Sequence, residues 1–410
     1  MTAQQRSSSP SIPSVPPTPA TRAIGRRPRA SRFFRILVTI TAVTHAPFVV
    51  AAAEALRRLG VRSDLAWGGG AMLGLAGVAL FVGRARALMH DQPRPFWRTL
   101  FVDLPFYAHW CATIWCLVPS VLYVLLEPIV DAIRGAPIGP SPGFFLWTYA
   151  SGLVVCTYGV TVRRWFFQVQ RHEVKIRGLA PELDGYRIVQ LSDLHVGAMH
   201  PAWWAMRWAQ AANAENADLA VVTGDMVTSG VAFHDAIASV IGALRAKNGV
   251  YVIMGNHDYF GEGEPLISLL NDGGARVLLN EGVVLERDGG KMYLAGIDDT
   301  WTKRADIDRA LAARPDGMPT VLLAHDPEKF PQAVKRKVDL VLSGHTHGGQ
   351  VAVPFLPKRI NASKIAHNYS LGIYTDGDAT LYVHPGLGTT GPPIRLGVAP
   401  AVVVLTLRSA

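Results

Sequence analysis

The stretch YRIVQLSDLHVG (residues 186–197) runs through Ile188, Val189 and Leu191 and then breaks into Ser192, Asp193 and His195. A short apolar run bounded by Gly185 and Gly197 reads as a buried strand. An aspartate and a histidine two apart at its end would be costly to bury unless something binds them. Alternation along an extended chain sends residues i and i+2 to the same side, so Asp193 and His195 can share one cation. The pattern recurs in DLAVVTGD (218–225), GVYVIMGN (249–256), TVLLAH (320–325) and VDLVLSGH (338–345), each an apolar run ending in Asp, Asn or His.

Short strands alternating with helical segments predict an α/β unit, in which functional groups gather at the carboxyl ends of neighbouring strands. Asp193, His195, Asp225, Asn256, His257, His325, His345 and His347 are therefore expected to converge. Oxygen and imidazole donors without sulfur suit manganese, iron, zinc or a similar divalent ion, and an aspartate can bridge two of them. Gly224, Gly255 and Gly344 each precede one of these residues, where they would permit tight turns or simply punctuate the strand ends.

The blocks D-x-H, G-D, G-N-H-D, H and G-H-x-H stand in that order as SDLHVG, TGDMV, MGNHDYF, AHDPE and SGHTHGGQ. In this they resemble the calcineurin-like metallophosphoesterases, from about Gly185 to the C-terminus. The closing GHTHGGQ and GLGTTGPPIRLG (386–397) look more specifically like the membrane-associated branch, which includes transmembrane proteins with a metallophosphoesterase domain. The resemblance implies a β-sandwich core flanked by helices and two divalent metal ions. It implies Asp193, His195 and His347 on the first ion, Asp225 bridging, and Asn256, His325 and His345 on the second. His257 would be a catalytic proton donor or charge stabiliser, with Asp258 orienting it from behind. Two such ions would activate water for an in-line displacement at phosphorus without a covalent enzyme intermediate.

Other residues call for plainer readings. His200, His234, His367 and His384 lack the spacing of the blocks and are expected to lie away from ligation, and Arg395 is as compatible with a structural role as with a phosphate contact. HPAWWAMRWAQ (200–210) sets Trp204 and Trp208 one helical turn apart, which suits either an interfacial anchor or a helix packed on the sheet.

The N-terminal part of the chain follows different rules. Residues 1–31, rich in Ser, Pro, Thr and Arg, read as a disordered basic tail, residues 32–165 as a membrane region, and residues 166–410 as the catalytic domain. Four stretches, 36–56, 65–82, 100–126 and 143–162, are long and apolar enough to cross a bilayer. The net charge of +9 is not a nucleic-acid signature: up to Val174 there are 18 arginines and 7 acids, and beyond it 22 basic and 24 acidic residues. The excess flanks the spans, where it orients helices, and no nucleic-acid partner is expected. Arginines before the first span, between the second and third, and after the fourth place the catalytic domain on the cytoplasmic side of a plasma (inner) membrane.

Gly70 and Gly74 form a small-xxx-small pair for close helix packing, and Cys111, Cys116 and Cys156 read as buried small apolar residues. His45, Glu54, Asp103 and His109 are ionisable groups at or near membrane depth, which raises a transport or ligand site against a structural reading. The leading expectation is a multi-pass α-helical membrane region followed by an α/β metallophosphoesterase domain. Such a protein would hydrolyse a phosphoester or pyrophosphate, probing first a lipid-linked substrate such as UDP-2,3-diacylglucosamine. The bilayer and a phosphorylated, lipid-linked substrate are the expected partners. The alternative is a transporter or sensor whose phosphoesterase-like domain only regulates it.

Overall fold

The computed structural model describes residues 28–87, 91–136 and 141–410. The tail expected over residues 1–31 lies outside the described residues as far as residue 27, and helix α1 (Pro28–Arg58) begins there. It is followed by α2 (Ser63–Ala87), the short α3 (Phe96–Arg98), a π-helical turn (Thr99–Asp103), α4 (Leu104–Arg134) and α5 (Pro142–Thr161). The segments Phe34–Arg58, Ser63–Arg84, Phe96–Arg134 and Pro142–Trp165 are long and apolar enough to cross a membrane, and each contains one of the expected spans.

Small residues let these helices touch. A Cβ on Gly70 would lie 2.7 Å from the Val49 carbonyl oxygen, and one on Gly74 would lie 2.5 Å from Val49 Cγ2. The ionisable groups at membrane depth are paired. Asp103 is buried between Arg84 and Arg94, the latter at 3.1 Å, and Glu54 takes Arg58 at 2.9 Å. His109 meets His45 through their Nε2 atoms at 3.3 Å and Tyr149 at 2.8 Å. The three cysteines are free and buried.

Beyond the spans, strands and helices alternate. The strands are β1 (Gln168–Ile176), β2 (Arg187–Leu191), β3 (Leu219–Thr223), β4 (Val250–Ile253), β5 (Arg276–Val277) and β6 (Glu281–Arg287). They continue with β7 (Gly290–Gly296), β8 (Thr320–Leu323), β9 (Leu340–Ser343), β10 (Gly372–Asp376), β11 (Ala379–Val383) and β12 (Ala401–Ser409). Among them lie α6 (Ala202–Ala214), α7 (His234–Gly242), α8 (Glu264–Asp272), α9 (Ile307–Leu311) and α10 (Phe330–Lys335). The five expected strands are β2, β3, β4, β8 and β9, every residue of which is buried except Arg187, Val250 and Tyr251.

Two six-stranded sheets form among the described residues, in the orders β1-β12-β2-β3-β4-β5 and β10-β11-β9-β8-β7-β6. Within the first, β2, β3, β4 and β5 run parallel, and within the second β7, β8, β9 and β11 do. The sheets face each other across a core of Ile188, Leu219, Val221, Ile253, Leu294, Val321, Leu340 and Leu405. Helices α6, α7 and α8 cover the outer face of the first sheet, and α9 and α10 cover that of the second. Runs buried on both faces require largely apolar strands, which is why these are dominated by Val, Ile and Leu.

Helix α6 decides between the two readings of the tryptophans in favour of a helix packed on the sheet. Trp208 is fully buried in the core under the first sheet and Trp204 packs partly against it. The exposed member is Trp203, 62% accessible.

Candidate metal centre

Every residue expected at the site lies just past a strand end. Asp193 and His195 follow β2, Asp225 follows β3, Asn256 and His257 follow β4, His325 follows β8, and His345 and His347 follow β9. The first three strands belong to one sheet and the last two to the other, all of them interior, so the cluster sits over the carboxyl ends of the central strands of both. Close loop approach makes this possible. A Cβ on Gly344 would lie 2.0 Å from Ser192 Oγ, and one on Gly224, at φ +89°, would lie 2.7 Å from the Gly255 nitrogen.

Backbone strain gathers at the same residues. Asp193, His195, Asp225, His345 and His347 have φ of 54°, 46°, 53°, 72° and 53°. A non-glycine residue held there costs on the order of 1–3 kcal/mol, and five together mark a place where the surrounding fold enforces side-chain direction. The carboxylates and imidazoles that result are crowded. His195 and His347 bring their Nε2 atoms to 3.1 Å, His347 Nε2 lies 3.3 Å from Asp193 Oδ1, and His195 Nε2 lies 3.7 Å from Asp225 Oδ2. On the other side, His325 Nε2 is 3.2 Å from the same Asp225 oxygen and 3.3 Å from His345 Nδ1.

Two donor groups emerge, Asp193 with His195, Asp225 and His347, and Asp225 with His325 and His345, each with its ligand atoms within 4.8 Å of one another. Asp225 belongs to both. Asp193 Oδ2, His195 Nδ1 and Asn256 Oδ1 are buried without a hydrogen-bond partner among the described residues. Oxygen and nitrogen lone pairs facing one another at this range repel unless a cation shares them, so the donor set fits divalent metal ions.

The surrounding groups fix the rings. His325 Nδ1 lies 2.7 Å from the Thr223 carbonyl, so an N–H donated there makes Nε2, beside Asp225, the ring's available ligating atom. Arg395 Nη2 lies 3.4 Å from His347 Nδ1, while the same guanidinium donates to the Pro385 and Gly388 carbonyls. Arg395 is completely buried and therefore braces the loop rather than meeting substrate. His384 is buried behind the site, accepting from the Gly386 N–H at 2.9 Å.

Burial decides most protonation states in the cluster. It pushes His195 and His345 down to about 3 and His347 well below the usual histidine range, aided by neighbouring positive charge. Burial and the Asp225 charge push Asp193 up to about 6. For His325 burial pulls down, but contact with Asp225 overrides it and raises the group to about 10. Without a cation, the shared aspartate thus holds a proton on His325.

His257 and Asp258 depart from the expected pairing. The His257 ring is braced by the Thr228 carbonyl at 2.7 Å from Nδ1, and its Nε2 lies 3.3 Å from Thr390 Oγ1. Asp258 instead accepts the backbone N–H groups of Met226 at 2.8 Å, Val227 at 3.2 Å and Gly255 at 2.9 Å. The strand-end turns leave these N–H groups without strand partners, and the buried carboxylate is the acceptor that satisfies them. Sequence spacing did not single out Thr228, Thr390, Trp301 or His367, although the Trp301 and His367 rings lie 5.6 and 5.4 Å from that of His345. His234 is buried in α7, away from the cluster, and His200 is buried beside Thr389.

The family model for calcineurin-like phosphoesterases matches residues 186–349, which span the strand ends just described. An uncharacterized metallophosphoesterase, YkuE, of Bacillus subtilis (strain 168) is 32% identical over 246 residues, covering 59% of this chain and 86% of that protein. A transmembrane protein with metallophosphoesterase domain from Danio rerio is 30% identical over 302 residues, covering 70% of this chain and 68% of its own length. An uncharacterized metallophosphoesterase of Helicobacter pylori (strain J99 / ATCC 700824) is 32% identical over 225 residues, covering 53% and 58%. The chain belongs to the calcineurin-like metallophosphoesterase family. With its donor cluster it is a metal-dependent phosphoesterase, and its four apolar helices mark it as a membrane protein.

Proposed function

We propose that the protein is a membrane-bound phosphohydrolase that uses two divalent ions to cleave a phosphodiester or pyrophosphate in a lipid-linked substrate. The observation that carries this reading is the membership of Asp225 in both donor groups. Asp193, His195 and His347 would hold one ion, His325, His345 and Asn256 the other, with Asp225 between them. Bound there, such ions supply Lewis acidity toward a phosphoryl oxygen and lower the pKa of water toward neutrality.

The chain's own residues do the rest. The Thr228 carbonyl lies 2.7 Å from His257 Nδ1 and fixes the ring, leaving Nε2 as the atom to serve a leaving oxygen. Thr390 Oγ1 orients that nitrogen in the absence of substrate. Buried, neutral His195, His345 and His347 keep their lone pairs available for ligation at neutral pH.

The lipid-linked part of the reading rests on how the spans meet the site. Asp91, between α2 and α3, accepts the Ala198 N–H at 3.0 Å and donates its own N–H to Ser229 Oγ at 3.0 Å. Ala198 and Ser229 continue the loops that carry His195 and Asp225, and Arg94 joins Asp91 at 2.9 Å to Asp103 in the π turn. An active site seated this way on membrane helices draws substrate from the bilayer plane, where confinement raises its concentration. UDP-2,3-diacylglucosamine is the first lipid-linked pyrophosphate to try. The division into a membrane unit at 32–165 and a catalytic unit at 166–410 is part of the same proposal, as is a cytoplasmic catalytic face on the inner membrane, supported by the arginines after the fourth span.

Hydrolysis of bis-p-nitrophenyl phosphate by the detergent-solubilised full chain tests it, with manganese added or chelated and with Asp225→Ala and His257→Ala. Metal-dependent turnover lost in Asp225→Ala and reduced at least tenfold in His257→Ala is expected. Turnover indifferent to chelation would refute it.

A further inference from the structure

Where the spans meet the catalytic unit there is a cavity of about 260 Å³. One wall is Phe96, Leu100 and Leu104, around the π-helical turn, and the other is Trp165, Trp203 and Trp204. Arg164, in the last turn of the fourth span, also lines it and is only 1% accessible. Its Nη1 donates to the Met199 carbonyl at 2.8 Å and its guanidinium carbon lies 4.3 Å from the Trp165 ring centroid. Nε and Nη2 have no partner among the described residues, and neither has Trp204 Nε1.

The chemistry of this lining is one-sided. Beside the Thr99 and Thr161 hydroxyls it offers an unneutralised guanidinium and an indole N–H, both donors, with no acidic side chain around the cavity among the described residues. Burying an unpaired cation is costly, so a fold that keeps Arg164 here gains when an anion joins it. The cavity lies at the end of an apolar helix long enough to span a bilayer, next to Phe101 and Val102 of the π-helical turn, which are 71% and 41% accessible. A π-helical turn, which is uncommon and concentrated at functional sites, shapes the apolar wall.

We propose that this cavity binds the phosphate of an anionic bilayer phospholipid, with Arg164 and Trp204 donating to its oxygens and the α3–α4 wall meeting the adjoining acyl esters. The site is distinct from the metal centre and depends only on the spans lying in a bilayer. It is joined to the catalytic loops through Met199, two residues beyond Gly197, which closes the block SDLHVG. A lipid seated here would therefore fix the height of the catalytic unit above the membrane.

Native mass spectrometry of the full chain in dodecyl maltoside, titrated with dioctanoyl phosphatidylglycerol, reads the binding directly. Saturable uptake of one lipid is expected, weakened at least tenfold by Arg164→Gln. Leu100→Trp fills the cavity while leaving the guanidinium in place, and the same loss is expected there, which decides the matter if Arg164→Gln fails to fold. Wild-type affinity in Leu100→Trp would overturn the proposal. So would equal binding of dioctanoylglycerol, which indicates apolar adhesion alone, or of glycerol 1-phosphate, which indicates a site for free phosphate. Because uptake is read without turnover, a chain that hydrolyses nothing can still pass this test and an active one can still fail it.

Discussion

Replacing Asp258 separates a scaffolding carboxylate from a catalytic one. Its oxygens accept three backbone N–H groups, from Met226, Val227 and Gly255, and the side chain is almost wholly buried. In Asp258→Ala all three donors lose their acceptor. Each orphaned buried donor costs about 1–3 kcal/mol, so even the low end approaches 3 kcal/mol, a large share of the roughly 5–15 kcal/mol available to a domain. Asp258→Asn keeps an acceptor for Met226 and Val227 but turns an amide N–H₂ toward the Gly255 N–H, so it should lose about 2 kcal/mol. Urea unfolding of the detergent-solubilised protein, followed by far-UV circular dichroism, measures both. The midpoint should fall for Asn and fall further for Ala, with metal affinity dropping in parallel because Met226 and Gly255 adjoin Asp225 and Asn256. Unchanged stability in Asp258→Ala, with only the pH profile of hydrolysis altered, would refute the scaffolding role and restore a direct partnership with His257.

Other perturbations follow from the same contacts. In chelated protein, the folded state of His195 and His345 titrates near 3 against about 6.5 unfolded, so the unfolded chain binds more protons between these values. Stability is then fully present above about 6.5 and lost as pH falls, by about 2 kcal/mol per imidazole at pH 5, with Asp193, raised to about 6, opposing part of it. His325, raised to about 10, works the other way, its contribution being present below about 6.5 and lost as pH rises toward 10, so the melting temperature should peak near pH 6.5. Asp91→Ala orphans the Ala198 N–H and leaves Arg94 with Asp103 as its one carboxylate partner, and should slow hydrolysis of vesicle-borne lipid substrates several-fold more than that of a soluble diester. Trp208→Ala should cost about 3–5 kcal/mol as a core deletion, whereas Trp203→Ala should leave the unfolding midpoint within about 0.5 kcal/mol.

The parts of the fold legible in the sequence are those set by local pattern. Strands β2, β3, β4, β8 and β9 announce themselves because both faces are buried, and the Asp, Asn and His residues after them stand out because charge at the end of an apolar run needs a partner. The spans were equally plain, since hydrocarbon thickness fixes their length. What the pattern could not carry is which strands share a sheet: His325 and His345 arrive from the second sheet, and only the face-to-face packing of the two brings them to Asp225. Long-range hydrogen bonds were likewise hidden. Nothing in the spacing of Asp258 reveals that it holds N–H groups of two different loops, or that Asp91 reaches Ala198, 107 residues away. Trp204 and Trp208 were ambiguous because an amphipathic helix covers a sheet or a bilayer with the same periodicity.

The account turns on Asp225 serving two ions at once, and the metal content of the purified full chain tests that most directly. Inductively coupled plasma mass spectrometry on protein loaded with manganese and freed of excess should find two ions per wild-type chain and fewer than one in Asp225→Ala, with melting confirming that the variant is folded. Two ions retained by a folded Asp225→Ala chain, or a single ion in the wild type, would contradict the shared-aspartate centre.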